Sequence, residues 1–372
     1  MEILNDFYRI AENPYEYARD LKKAGKRILG YFCSYTPEEI IFASGLHPMR
    51  LFGTKGDITL ADAHLQPYCC SLVRGALEEA LAGRLDFLDG TVFPHTCDSI
   101  QRLSDIWRLN TDFGFFADVV LPVKLDTESS REYLADVLKK FRADLERDLG
   151  LEITDESLKA AINTYNGIRG SLKTIYEMHS KEPGILSGRD LYAITRSSMI
   201  MERNDLLEKL SLVTEALKKG GRSLKNKGEK RLVLAGSVCD LPDIYPIIEE
   251  AGGVVVWDDL CTGSRYFEGT IEDGNDPIES IAKRYAERLI CPAKHLSNTT
   301  RGENIVNIVK DHDAGGVVFL LLKFCDPHDF DYPYMKEFLD RENIPSMLLE
   351  VEDALPSEAQ LMTRFETFIH ML

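Results

Sequence analysis

Residues 230–261 read KRLVLAGSVCDLPDIYPIIEEAGGVVVWDDLC. An apolar run, a loop carrying Cys239, a helical pattern and a second apolar run ending at Cys261 make one βαβ unit, because short Val- and Leu-rich runs bounded by glycine read as buried strands. The same order occurs near the other end of the chain, at residues 26–53, KRILGYFCSYTPEEIIFASGLHPMRLFG. There "KRILGYF" is a strand, "TPEEIIFASG" is a helix with Thr36 as its cap, Pro37 in its first turn and Gly45 at its end, and "PMRLFG" is the next strand. In both units the loop after the first strand runs from a cysteine through a proline and an acid to an isoleucine. The two halves read as weak copies of one α/β plan.

The alternation continues outward from each unit. "QPYCCSLVRGALEEALAG" has helical spacing and a glycine stop, and is followed by the apolar "FLDGTVF", the helix "DSIQRLSDIWRL" and the strand "FADVVLPV". Residues 129–227 turn helical and heavily charged. The chain is therefore expected to divide into an α/β domain over 1–128, a helical connection over 129–227 and a second α/β domain over 228–372. In each half a later strand ends on Cys-Asp: Cys97-Asp98 in "TVFPHTCDSI" and Cys325-Asp326 in "LLLKFCDPHD". Doubly wound parallel sheets bind ligands at the carboxyl ends of their strands, so two such domains facing each other would bring both sets of cysteines to one cleft.

Composition narrows the possible functions. The formal net charge of −17 over 372 residues argues against nucleic acid, whose phosphates need concentrated Lys and Arg. Apolar stretches such as "GGVVFLLL" are too short to span a bilayer, and the first residues are acidic where a signal peptide is basic and then apolar. A soluble cytoplasmic protein is expected, with no membrane partner. In a reducing compartment its eight cysteines point to metal, catalysis or burial rather than disulfides. No two of them are spaced as CxxC, which removes zinc-ribbon, ferredoxin and thioredoxin patterns. Taken singly, each reads as a small core hydrophobe. Taken together, Cys33, Cys97, Cys239 and Cys325 in loops after strands and Cys261 at a strand end point to soft-metal chemistry shared between distant segments.

The segments "GYFCSYTPEEIIFASGLHPMRLFG", "QPYCCSLVRGALEEALAGRLDFLDGTVFPHTCDS", "DDLCTGSRYF" and "LKFCDPHDFDYP", with the closing "TRFETFIHML", resemble the 2-hydroxyacyl-CoA dehydratase and benzoyl-CoA reductase family over nearly the whole chain, and "GRLDFLDG" resembles the small iron–sulfur subunit of the reductase. The resemblance implies two Rossmann-like doubly wound parallel-sheet domains joined by a helical segment. It also implies a [4Fe–4S] cluster on Cys70, Cys97 and Cys325, an acyl-CoA substrate, a homologous second subunit in a dimer, and a separate ATP-hydrolysing activator protein that drives radical chemistry. Cys33, Cys261 and Cys291 resemble the cysteines of a sister branch that holds a double-cubane [8Fe–9S] cluster; that branch has further cysteine context before the Cys97 equivalent, and this chain has none.

Around these positions, Ser34 is the candidate catalytic residue. Arg74, Arg102 and Arg265 are candidate counter-charges for CoA phosphates or the cluster, as is the basic run "KKGGRSLKNKGEKR", though surface or structural ion pairs and a solvated linker are the commoner explanations. His95 and His328 flank the two Cys-Asp sites as candidate proton carriers. Cys69 and Cys239 read as packing residues. The alternative functions are a double-cubane reductase of small molecules and a non-catalytic cluster scaffold on the same fold.

Overall fold

The computed structural model of the chain describes residues 2–54, 56–220, 230–288, 291–294, 297, 299–352 and 355–372. Most of the basic run before the second sheet lies outside the described residues. Strands β1 (Ile28–Tyr31), β2 (His47–Arg50), β3 (Gly90–Pro94) and β4 (Phe115–Val119) form one sheet, and β5 (Lys230–Gly236), β6 (Gly253–Asp259), β7 (Gly316–Leu322) and β8 (Ser346–Val351) form another. Every pairing is parallel, and the orders are β2-β1-β3-β4 and β6-β5-β7-β8. The two sheets thus share one topology, two Rossmann-like α/β domains as the sequence predicts. Strands β1, β2, β3 and β7 are buried along their whole length, and β7 reads accordingly as a continuous apolar run, whereas β2 buries His47 and Arg50.

In each sheet the chain reverses its direction of travel between the two central strands, at β1/β3 and β5/β7, and the reversal opens a crevice at the carboxyl ends. The turn out of β5 depends on a glycine. Gly236 has φ +140°, and a Cβ there would meet the Leu320 carbonyl oxygen at 2.0 Å. The close approach lets Ser237 bond β7 twice: its amide donates to Leu320 O at 3.1 Å, and its Oγ accepts from the Leu322 amide at 2.9 Å.

The expected helical stretch is four long helices, Glu128–Leu149, Asp155–Lys181, Gly188–Ser198 and Arg203–Lys218. Asp155–Lys181 reaches both sides of the first sheet: Ile168, Leu172 and Ile175 join one core cluster, while Leu158 and Ile162 join the other. The expected first helix begins slightly later than its sequence suggests, at Glu38, with Pro37 rather than Thr36 at the cap position. One packing relation has no local sequence signature. Helix Pro277–Glu287, which follows β6, buries Ile278, Ile281, Tyr285 and Ala286 against the first domain's core and the helix Glu128–Leu149.

A buried polar knot fastens the helical segment to the first sheet. Arg203 is 0% exposed. Its Nη2 meets Glu38 Oε2 at 2.9 Å and Pro48 O at 2.8 Å, its Nη1 donates to Ser198 O and Met201 O at 2.9 and 2.7 Å, and its Nε donates to Tyr165 OH at 2.8 Å. Removing one partner strands a buried charge, at a cost of about 3–5 kcal/mol. Arg203→Met is therefore expected to lower unfolding free energy by about that amount in a urea titration; a loss below about 1 kcal/mol would show that the knot does not fasten the segment.

Candidate functional site: a cysteine-lined chamber

Six cysteines, Cys33, Cys70, Cys97, Cys261, Cys291 and Cys325, line one cavity of ≈ 70 Å³. Its wall also takes Phe32 and Thr96, Arg50 at the end of β2, Ser237 and Val238 after β5, and Leu322 at the end of β7, so the carboxyl ends of both sheets close on it. The six thiols form no disulfide.

Three of them stand at helix starts. Cys70 caps Ser71–Leu81, Cys97 caps Asp98–Asn110 and Cys325 caps Asp326–Arg341, each at a position where Ser, Asp or Asn is usual. None closes a cap hydrogen bond, so each first turn presents its amides and its positive dipole end toward a sulfur. The amides of Val73 and Leu72 pull the Cys70 thiol down, and those of Ile100 and Ser99 act likewise on Cys97, but burial outweighs both. Cys70 is pushed up to about 11 and Cys97 to about 12, and Cys325 is held well above the usual thiol range by burial and by Cys70, Cys261 and Cys97. Cys97 and Cys325 each feel Cys70, which puts these three within electrostatic reach of one another.

The other three thiols make a second group in the same wall. Cys261 and Cys291 share a hydrogen bond that favours the Cys261 thiolate and keeps Cys291 protonated, and Cys291 also feels Cys33. Arg265 assists the Cys261 thiolate, and His328 Nε2 lies 3.8 Å from its Sγ. A larger cavity of ≈ 470 Å³ adjoins the chamber through Thr96, Cys97, Ala293 and Pro327, and opens past Lys294, Asp326 and the exposed Phe330. It provides an approach to the thiols.

The remaining sequence candidates fall in varied places. Ser34 is buried behind Cys33, where its Oγ accepts from Arg288 Nη2 at 3.0 Å. His328 lines the chamber, whereas His95 bonds Asp118 at 2.8 Å. Arg265 is buried beside Asp259 at 3.3 Å, but Arg74 pairs with Asp62 and Arg102 with Asp98, and neither lines the chamber. Cys69 and Cys239 are buried outside the chamber lining. Arg50, Arg288 and Lys294 were not legible as site residues, because nothing in "HPMRLFG" or "ERLICPAKH" distinguishes a buried cation from a surface one.

As a donor set, clustered thiols suit soft metals and iron–sulfur clusters. Among the described residues no group of three His, Cys, Asp or Glu is placed to hold a single metal ion. A tetrahedral ion with bonds of about 2.3 Å needs its sulfurs close together, whereas a cluster spreads them over several irons.

Fold and chamber define a class: a two-domain α/β protein whose cysteines meet at the carboxyl ends of paired parallel sheets. The chain belongs to the family described as 2-hydroxyglutaryl-CoA dehydratase, D-component, whose sequence model matches residues 33–372. It is 30% identical over 372 residues to the (R)-phenyllactyl-CoA dehydratase beta subunit of Clostridium sporogenes, covering 100% of this chain and 99% of that protein. It is 27% identical to the beta subunit of lactoyl-CoA dehydratase from Anaerotignum propionicum, over 100% of this chain and 98% of that one. One of the subunits of benzoyl-CoA reductase from Thauera aromatica is 28% identical over 88% of this chain and 86% of its own length. The family foreseen from the cysteine segments is the family found.

Thiol reactivity follows thiolate fraction. In metal-free, reduced protein at pH 8, iodoacetamide should therefore reach Cys261 before Cys70 and Cys97. The rates at the latter two should climb with pH toward about 11 and about 12. Peptide mass spectrometry reads the order, and modification of Cys70 ahead of Cys261 would contradict the electrostatics described.

Proposed function

We propose that this chain is an iron–sulfur subunit of an enzyme that dehydrates a 2-hydroxyacyl-CoA or reduces a benzoyl-CoA-type thioester. The observation that carries the reading is the six-thiol chamber at the facing carboxyl ends of the two sheets, in a chain similar along its whole length to acyl-CoA dehydratase subunits.

Cys70, Cys97 and Cys325 would hold a [4Fe–4S] cluster, which supplies a single low-potential electron. The residues around it have separate tasks. First-turn amides behind the three sulfurs favour negative charge there. Phe32, Val73, Ile100 and Leu322 keep the wall apolar and exclude water. The adjoining cavity would admit the acyl end of a thioester. Ser34 accepts from Arg288, which leaves its own hydroxyl proton to donate to an acceptor that reaches Cys33.

The electron must enter near −700 mV, the low end for protein iron–sulfur sites, and each 59 mV of shortfall costs a one-electron step a factor of ten. The sequence has no GxxxxGK[ST] phosphate loop, so ATP coupling falls to a separate activator, and a second, homologous subunit completes the enzyme. The proposed organisation is an α/β domain over 1–128, a helical connection over 129–227 and a second α/β domain over 228–372.

A second reading is a double-cubane [8Fe–9S] cluster on all six thiols. It is favoured by the placement of Cys33, Cys261 and Cys291 in the same wall; the lack of further cysteines between Cys70 and Cys97 favours the single cluster.

Anaerobic protein mixed with its activator and a strong reductant should lose iron–sulfur absorbance only when Mg-ATP is added, and Cys97→Ser should lose both the absorbance and thioester turnover. Full bleaching without ATP would overturn the assignment to activated radical chemistry. About four irons per chain support the single cluster, and about eight the double one.

A further inference from the structure

Buried positive charge in and around the chamber wall exceeds what carboxylates there balance. Arg50 is 2% exposed and lines the chamber; its Nη1 donates to Met199 Sδ at 3.3 Å and to Cys261 O at 3.0 Å, both neutral acceptors. Lys294 is 1% exposed and its Nζ donates to Leu121 O at 3.1 Å. Burial pushes its ammonium below the usual lysine range, and the groups that oppose this are Cys33, Cys291 and Cys97. Arg288 is 5% exposed, lies 4.0 Å from the centre of the Tyr35 ring and 5.3 Å from that of Tyr285, and donates to Ser34 Oγ. Tyr35, Tyr285 and Cys33 are the groups facing it, and all are uncharged when protonated.

Among the described residues none of the three has a carboxylate within ion-pair distance. Arg265, a buried cation acting on Cys261 and Cys291, shows the contrast: Asp259 balances it and is shared with Arg301. A buried cation without a counter-ion costs folding free energy. The protonated thiols of Cys70, Cys97, Cys291 and Cys325 give no relief, and the Cys261 thiolate is held by Cys291 and Arg265. A thiol that binds metal first loses its proton, and each resulting thiolate brings a negative charge to a low-dielectric wall where attraction to nearby cations is strong.

We propose that Arg50, Arg288 and Lys294 form a ring of counter-charges for an anionic metal–sulfur cluster held by the chamber's thiolates. The proposal rests on reading the chamber as a cluster site. The ring is a cost to the metal-free chain that cluster binding cancels, so loading and folding are coupled. Because reduction adds negative charge to the same volume, the three cations also raise the cluster's reduction potential. They act on it through space and touch no reacting atom, which makes them positioning charges.

The test uses the full chain, prepared anaerobically as wild type, Lys294→Met, Arg50→Met and the charge-conserving Lys294→Arg. The metal-free Met variants should melt at higher temperature than wild type. After reconstitution with ferrous iron and sulfide, they should show a lower reduction potential in a titration followed by electron paramagnetic resonance. The expected shift is about tenfold less reduced cluster at a fixed potential, equivalent to about 59 mV for one electron. Lys294→Arg should keep the wild-type potential. If the Met variants melt lower when metal-free and keep the wild-type potential when loaded, these side chains are packing and the ring is wrong. If wild type takes up no iron and sulfide, the cluster reading itself fails and takes the ring with it; iron uptake with unchanged potentials overturns the ring alone.

Discussion

The site depends on one packing constraint: a stretch of the second half is buried in the core of the first. Tyr266 and Phe267, just after β6, join the cluster that contains Phe32 and Cys70, and helix Pro277–Glu287 buries its apolar face beside Leu29 and Tyr31. With both ends of residues 266–286 committed to the first domain, Cys261 before them and Cys291 after them are held against Cys33 and Cys97. Two separately folded α/β domains could drift apart. This shared core keeps their carboxyl ends face to face, and every property of the chamber follows from that.

Within the chamber, burial and helix geometry act in opposite directions. Low dielectric favours protonated thiols, whereas helix starts at Cys70, Cys97 and Cys325, and Arg265 at Cys261 and Cys291, favour thiolates. Cys70, Cys97 and Cys325 in this balance stay protonated until something binds that repays deprotonation, and soft metal does so. The same balance sets what a bound cluster would experience: an apolar wall that keeps water out, amide dipoles at three corners, and buried positive charge at its edge. These are the means by which a protein tunes cluster potential.

Much of this was legible in the sequence. The parallel order of both sheets followed from the repeated strand, cysteine loop, helix and strand, and from apolar runs without alternation. Cys97 and Cys325 were recognisable as strand-end residues by their matched Cys-Asp sequences. What could not be read depends on contacts distant along the chain. No periodicity tells Arg288 that it will lie 4.0 Å from the Tyr35 ring, and "PIESIAKRYAE" is an amphipathic helix whichever core receives it. The helix start at Pro37 also differed by a residue or two from its sequence signal, because a proline lacking an amide proton fits the cap as well as the first turn.

The most direct test of the account is an iron-edge anomalous diffraction map from crystals of the anaerobically reconstituted chain. The account predicts iron in the chamber between the two sheets, bonded to the sulfurs of Cys70, Cys97 and Cys325. Iron bound at Cys69, at Cys239 or on the surface, with the chamber empty, would contradict it.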